Sequence, residues 1–191
     1  MKMVDVYLPL VSVILIYLSR MIELGTRRDT MAGPVLERLT LPLFVLAGSV
    51  MVAGSIVELF VRHLRLNGWT FVCGWMCAVA SVVLRRKAIA ALGRFWSLHV
   101  EIREGHQFVR TGPFRWMRHP TYFSMILELL AIGLVTNALY TAVVVAVLFV
   151  PTLAFRINLE ETALVARFGE MYKQYQRTTP ALFPYKWPRE K

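Results

Sequence analysis

The sequence predicts an all-α, polytopic membrane helical bundle of about five transmembrane helices, two of them folded back as a hairpin. Three observations carry this. Of 191 residues, 57% are hydrophobic and only 18% are charged, and the mean hydropathy is +0.52; a soluble domain of this length needs more charge to cover its surface. The apolar residues come in blocks long enough for a helix to cross about 30 Å of hydrocarbon. The basic residues gather in the segments between those blocks, as the positive-inside rule requires.

The blocks are 3–18, 39–61, 68–84 and a long stretch after His119. The first is followed by Arg20, Glu23, Arg27 and Arg28 without a small-residue cleavage site, so it reads as a first spanning helix, not a removed signal. The last stretch is uncharged over 129–155. By length it is either one overlong tilted helix or two helices turned back at Thr136-Asn137, where Asn favours a turn and Gly133 weakens the helix nearby. Charge decides between them. One span would put the arginines up to Arg118 and those from Arg156 onward on opposite sides of the membrane, whereas a hairpin keeps them together. Five spans with the N-terminus outside place segments 19–38, 85–118 and 156–191 in the cytoplasm, with nineteen of the 22 basic residues; Lys2, Arg62 and Arg65 stay outside. The chain then divides into three N-terminal spans, 1–88, and a half that carries the polar motifs, 89–191, within one structural domain.

The net charge of +10 does not point to nucleic acid, because no binding motif accompanies it; basic loops beside apolar blocks are what anionic lipid attracts. Cys73 and Cys77 lie inside an apolar block and read as small buried hydrophobes, with neither a disulfide framework nor a metal site to be built from them.

Polar residues crowd three places in the second half. The segment 105–114 is a Gly- and Pro-punctuated loop. Arg118-His119-Pro120-Thr121-Tyr122 opens the fourth span. Arg156 precedes Glu160-Glu161, Phe168-Gly169 and Tyr172 to Tyr175. Each has an ordinary structural reading. Pro120 suits a first helical turn, Arg118 and His119 suit interface anchors, Arg156 suits a snorkelling cation, and Glu160 suits an i,i+4 partner for Arg156. The hairpin nevertheless brings Arg118, His119, Arg156 and Glu160 to one membrane face at similar depth. Two arginines, a histidine and a glutamate at a membrane boundary are better explained by a charged ligand than by packing.

Over 92–184 the chain resembles the isoprenylcysteine carboxyl methyltransferase family. The resemblance rests on Leu92-Gly93, Trp96-Ser97, the His106-x-x-Val109 loop, Arg118-His119-Pro120-x-Tyr122, and the spaced tail Glu160-Glu161, Phe168-Gly169, Tyr172-x-x-Tyr175. It implies S-adenosylmethionine as cofactor, held in a cytoplasmic cavity closed by the C-terminal helices, and a lipophilic acceptor such as a prenylcysteine entering from the bilayer. Carried over by position, His106, Gln107, Phe108, Val109, Phe114, His119, Pro120, Tyr122 and Glu160 would contact the cofactor. Arg156 would grip the acceptor carboxylate, with Arg118 as a second cation or structural clamp. Departures are Phe114, where a tyrosine is frequent, His99, Glu128 inside the fourth span, and the loosely matching Arg177 to Pro180.

A carboxylate is ionised at neutral pH, so its methylation needs a cation to hold it and no general base. A phenolic lipid would need a base, His119 first and Glu128 if it reaches the cavity; a phospholipid amine is a further acceptor on the same scaffold. A membrane sterol-type reductase using NADPH shares an Arg-His-Pro-x-Tyr-like motif, but its 2′-phosphate would want cations where Thr162-Ala163 stand.

Overall fold

The computed structural model describes residues 2–26, 35–97, 100–101 and 109–185. The helices are α1 (Met3–Gly25), α2 (Thr40–Val61), α3 (Gly68–Leu92), α4 (Pro120–Thr136), α5 (Leu139–Phe168) and α6 (Glu170–Thr178). Among the described residues, α1, α2, α3 and α5 are long and apolar enough to cross a membrane, and α4 is a shorter apolar helix of 17 residues. A small antiparallel ribbon adds to the expected helices: β1 (Val35–Glu37) pairs with β2 (Val100–Glu101).

The hairpin forms at the residue the sequence singles out. Asn137 takes the left-handed conformation, φ 56°, and Ala138 N–H donates to Gly133 C=O at 3.1 Å, which closes the end of α4 as a Schellman turn. The Asn137 side chain then ties the turn to its surroundings, donating to Arg65 C=O at 2.9 Å and accepting from the Thr70 hydroxyl at 2.7 Å. The start of α5 is capped from a distance. Glu58 at the end of α2 accepts from Tyr140 N–H at 3.2 Å and from Thr141 N–H and hydroxyl, each at 2.8 Å. That satisfies donors which lipid would leave unpaired.

Small residues let the helices approach. The buried stripe of α3 includes Gly74, Ala78, Ser81 and Ala88. A Cβ on Gly74 would lie 2.7 Å from Val135 Cγ1 and 3.0 Å from the Ala131 carbonyl, so only glycine fits where α3 and α4 cross. Ser81 adds a hydrogen bond to Ser124 C=O at 2.7 Å. With no water to expel between helices, such close packing is what holds a bundle in lipid. The core combines Val13, Phe44, Met51, Val135, Phe149 and Leu153 from α1, α2, α4 and α5.

Helices α1 and α3 run past their apolar blocks, to Gly25 and Leu92 instead of Leu18 and Leu84. Ala88 to Leu92 are good helix formers, and α3 stops only at Gly93, φ 51°. Consequently Arg85 lies within α3 instead of in a loop.

Candidate functional site

The hairpin sets the start of α4 beside the second half of α5. There Tyr122 links two residues of the other helix: its hydroxyl donates to Glu160 Oε2 at 2.7 Å and accepts from Arg156 Nε at 3.1 Å. Arg156 and Glu160 share a face of α5 as the spacing predicts, and the phenol of Tyr122 bridges them. His119 stacks on Tyr122 with ring centroids 5.5 Å apart. Its Nε2 lies 2.9 Å from Glu161 Oε1 and its Nδ1 3.8 Å from Glu160.

His119 and Arg156 are each 3% exposed. That excludes the ordinary readings, since an interface anchor or a snorkelling cation must reach water or headgroups. Arg118 acts as a clamp. It donates to Glu161 at 2.6 Å, to Gln176 C=O at 3.0 Å and to Thr179 C=O. The backbone repeats the attachment, with Arg118 and His119 N–H donating to Pro180 and Ala181 C=O, both at 2.9 Å. The C-terminal segment is thereby strapped across the start of α4. Helix α6 is fastened again by the Tyr175 hydroxyl, which donates to Phe114 C=O at 2.6 Å.

These side chains surround a cavity of ≈ 290 Å³. At its polar end stand Arg118, His119, Tyr122, Arg156, Glu160, Val109 and Phe114, together with Tyr172 and Tyr175 of α6. Burial pushes the hydroxyls of Tyr172 and Tyr175 well above the ordinary tyrosine range; at Tyr172 the Glu161 and Glu160 carboxylates add to this, while at Tyr175 nearby Arg118 and Arg110 oppose it. Both remain neutral phenols at physiological pH. The cavity continues between apolar walls that include Leu41, Phe44, Val45, Leu129, Ile132 and Phe149. Leu41, Val45 and Ser49 also line a groove on the outer face of α2.

The structure thus gathers Val109, Phe114, Arg118, His119, Tyr122, Arg156 and Glu160 around one space. Pro120 is buried at the first position of α4 and takes no part in the wall. His106, Gln107 and Phe108, like His99, lie outside the described residues. Glu128 does reach the cavity, but it is ion-paired with Arg85, which also holds Glu23 at 2.8 Å. The motif Glu160-Glu161 divides its labour: Glu160, side chain 33% exposed, faces the space, while Glu161 takes Arg118, His119 and Gln176. Sequence reasoning left Glu161 without a role, although its adjacency to Glu160 on a helix puts the two on different faces.

The isoprenylcysteine carboxyl methyltransferase (ICMT) family model matches residues 74–166. Over this stretch, close to half its length, the chain is similar to that family. Protein-S-isoprenylcysteine O-methyltransferase B of Arabidopsis thaliana is 28% identical over 74% of each chain. YpbQ of Bacillus subtilis, an uncharacterized protein, is 34% identical over 47% of this chain. The cobalt-zinc-cadmium resistance protein CzcN of Cupriavidus metallidurans is 30% identical over 71% of it. The chain spans only 56% of YpbQ and 61% of CzcN. The apolar helices, together with the similarity to this family, make it an integral membrane protein.

Proposed function

We propose that this chain is an S-adenosylmethionine-dependent methyltransferase that esterifies the carboxylate of a lipidic acceptor, such as a prenylated cysteine. One observation carries the reading beyond that similarity: a buried guanidinium, Arg156, lines the cavity and bonds Tyr122, whose ring lies against Phe44 of the apolar wall. An acceptor with a carboxylate on an apolar tail has the same polarity sequence. The groove shared by Leu41, Val45 and Ser49 supports entry of the tail from the bilayer side.

The polar end suits the cofactor. Glu160 offers a carboxylate, and Phe114, Tyr172 and Tyr175 offer aromatic faces, a donor set that favours a cationic sulfonium and a flat base. His119, Tyr122 and Val109 complete that wall, and His106, Gln107 and Phe108 would add contacts from the loop. Bound there, the cofactor would supply an electrophilic methyl group on a positively charged sulfur. Arg156 holds the acceptor carboxylate in a low-dielectric setting, where a fixed cation aligns it. Transfer is an in-line displacement, so alignment supplies much of the rate, about 7–11 kcal/mol in the best intramolecular cases. A carboxylate nucleophile needs no base, and Glu128, engaged by Arg85, is poorly placed to serve a phenol. The basic distribution supports an outside N-terminus and a cytoplasmic catalytic face.

Purified protein in lipid vesicles, given methyl-labelled S-adenosylmethionine and a farnesylcysteine analogue, is expected to form a base-labile methyl ester. Label found instead in a base-stable ether or amine product, or no transfer at all, refutes the carboxylate reading.

A further inference from the structure

Arg156 is held from behind by residues that take no part in the cavity wall. Its Nη1 donates to Thr40 Oγ1 at 2.5 Å and to Glu37 Oε2 at 3.3 Å. Glu37 in turn accepts from Thr40 N–H at 2.6 Å and from the Thr40 hydroxyl. The group is well sheltered: Thr40 is 1% exposed and the Glu37 side chain 9%. On the opposite side, Arg156 Nε donates to Tyr122, whose hydroxyl is tied to Glu160. A planar guanidinium gripped at Nη1 by α2 and at Nε by α4 cannot rotate without breaking one of these bonds.

We infer that Glu37, assisted by Thr40, is a positioning residue for the proposed reaction: it fixes the plane of the Arg156 guanidinium and offsets part of its charge. The inference rests on the reading of Arg156 as the carboxylate holder. It addresses an otherwise awkward arrangement, since a buried arginine needs a counter-charge when no substrate is bound. A lone cation would also bind any carboxylate tightly without orienting it. Glu37 supplies the charge from a position outside the cavity wall. Burial alone would raise the Glu37 carboxyl; the bonds from Thr40 and Leu39 and the nearby Arg156 charge together hold it below its ordinary range, so the counter-charge persists at neutral pH. Thr40 joins the two, because its hydroxyl donates to Glu37 while accepting from Arg156.

The competing account makes Glu37 only a cap for the first turn of α2, through Thr40 N–H. Glu37→Gln separates the two roles, because the amide oxygen still accepts from Thr40 N–H while the charge toward Arg156 is gone. The full chain in lipid nanodiscs is assayed with S-adenosylmethionine and a farnesylcysteine analogue, alongside its thermal unfolding. Positioning predicts that Glu37→Gln lowers kcat roughly tenfold or more, with KM for the acceptor unchanged or lower, because a less neutralised cation still binds the carboxylate but aligns it poorly. Glu37→Asp, which keeps the charge, restores part of kcat. Unchanged kcat overturns the inference. So does a loss that merely follows a lower unfolding temperature while the folded fraction turns over normally. A second readout needs no turnover: the Nε–H signal of Arg156 in nitrogen NMR, assigned by its disappearance in Arg156→Lys. Faster proton exchange of that signal in Glu37→Gln supports positioning, and unaltered exchange overturns it. If wild-type protein transfers no methyl group, the proposed function fails, and the NMR result still decides the role of Glu37.

Discussion

Arg85 offers the sharpest test of how the bundle is held together. It is 3% exposed, donates through Nε to Glu23 at 2.8 Å, and is paired through Nη1 with Glu128. The three residues sit on α1, α3 and α4, so one guanidinium joins three helices. Replacing it by methionine keeps most of the side-chain volume and strips the Glu128 carboxylate, 15% exposed, of its cation, while Glu23, 9% exposed, keeps only Arg20 at 3.3 Å. Breaking a buried pair in this way costs about 3–5 kcal/mol, because an uncompensated charge is left behind. At about 2–4 °C per kcal/mol for a chain of this size, the unfolding temperature should fall by roughly 6–20 °C. The triple variant Glu23→Gln, Arg85→Met, Glu128→Gln removes all three charges and should recover most of the loss. Thermal unfolding in detergent, followed by circular dichroism or intrinsic fluorescence, reads both. If Arg85→Met unfolds within a degree or two of wild type, or the triple variant is no better than the single, the ion triad is not a structural tie.

Further expectations follow from the same geometry. Glu128→Gln should leave methyl transfer near the wild-type rate, and a collapse of activity with cofactor affinity retained would point to an acceptor that must lose a proton. Glu160→Gln should weaken S-adenosylhomocysteine binding in calorimetry with little change in stability; unchanged affinity would remove Glu160 from the cofactor wall. Gly74→Ala should lower the unfolding temperature, since the new methyl meets the Val135 side chain and the Ala131 backbone; an unchanged midpoint would show that α3 and α4 can part at no cost. Because Glu37 is held below its ordinary 4.5, its contribution to stability is present above that pH and is lost as pH falls through the lowered value. The difference in stability between wild type and Glu37→Gln should therefore shrink in acid, and a constant difference would contradict it. Reporter fusions at Asn137 and Lys191 should report opposite sides of the membrane, and the same side for both would refute the proposed orientation.

Much of this architecture was legible because its causes are local. Asn137 turns the chain by its own tolerance of positive φ, and charge balance across 129–155 chose the hairpin before any contact was known. The motif at 118–122 and the tail at 160–175 announced a polar cluster through their spacing. The partners that complete the cluster were not legible. Glu37 meets Arg156 across 119 positions and Glu58 caps α5 across 82 and 83, distances over which no periodicity speaks. Arg85 was misleading for another reason: beside Arg86 and Lys87 it looks like the edge of a loop, yet α3 continues and turns that one cation inward toward Glu23 and Glu128. The charge rule that set the expected topology therefore concealed a buried ion triad.

On the proposed reading, the fixed Arg156 guanidinium in the cavity wall holds the carboxylate that receives the methyl group. Methyl-ester formation by Arg156→Lys, with S-adenosylhomocysteine affinity measured on the same preparation, tests it most directly. Lysine preserves the charge but not the fork that reaches Tyr122, Thr40 and Glu37 together, and loss of one charged hydrogen bond is worth about 1.5–3 kcal/mol, or roughly ten- to a hundredfold in rate. The account predicts a turnover loss of that order with cofactor affinity nearly unchanged; full ester formation by Arg156→Lys would contradict it.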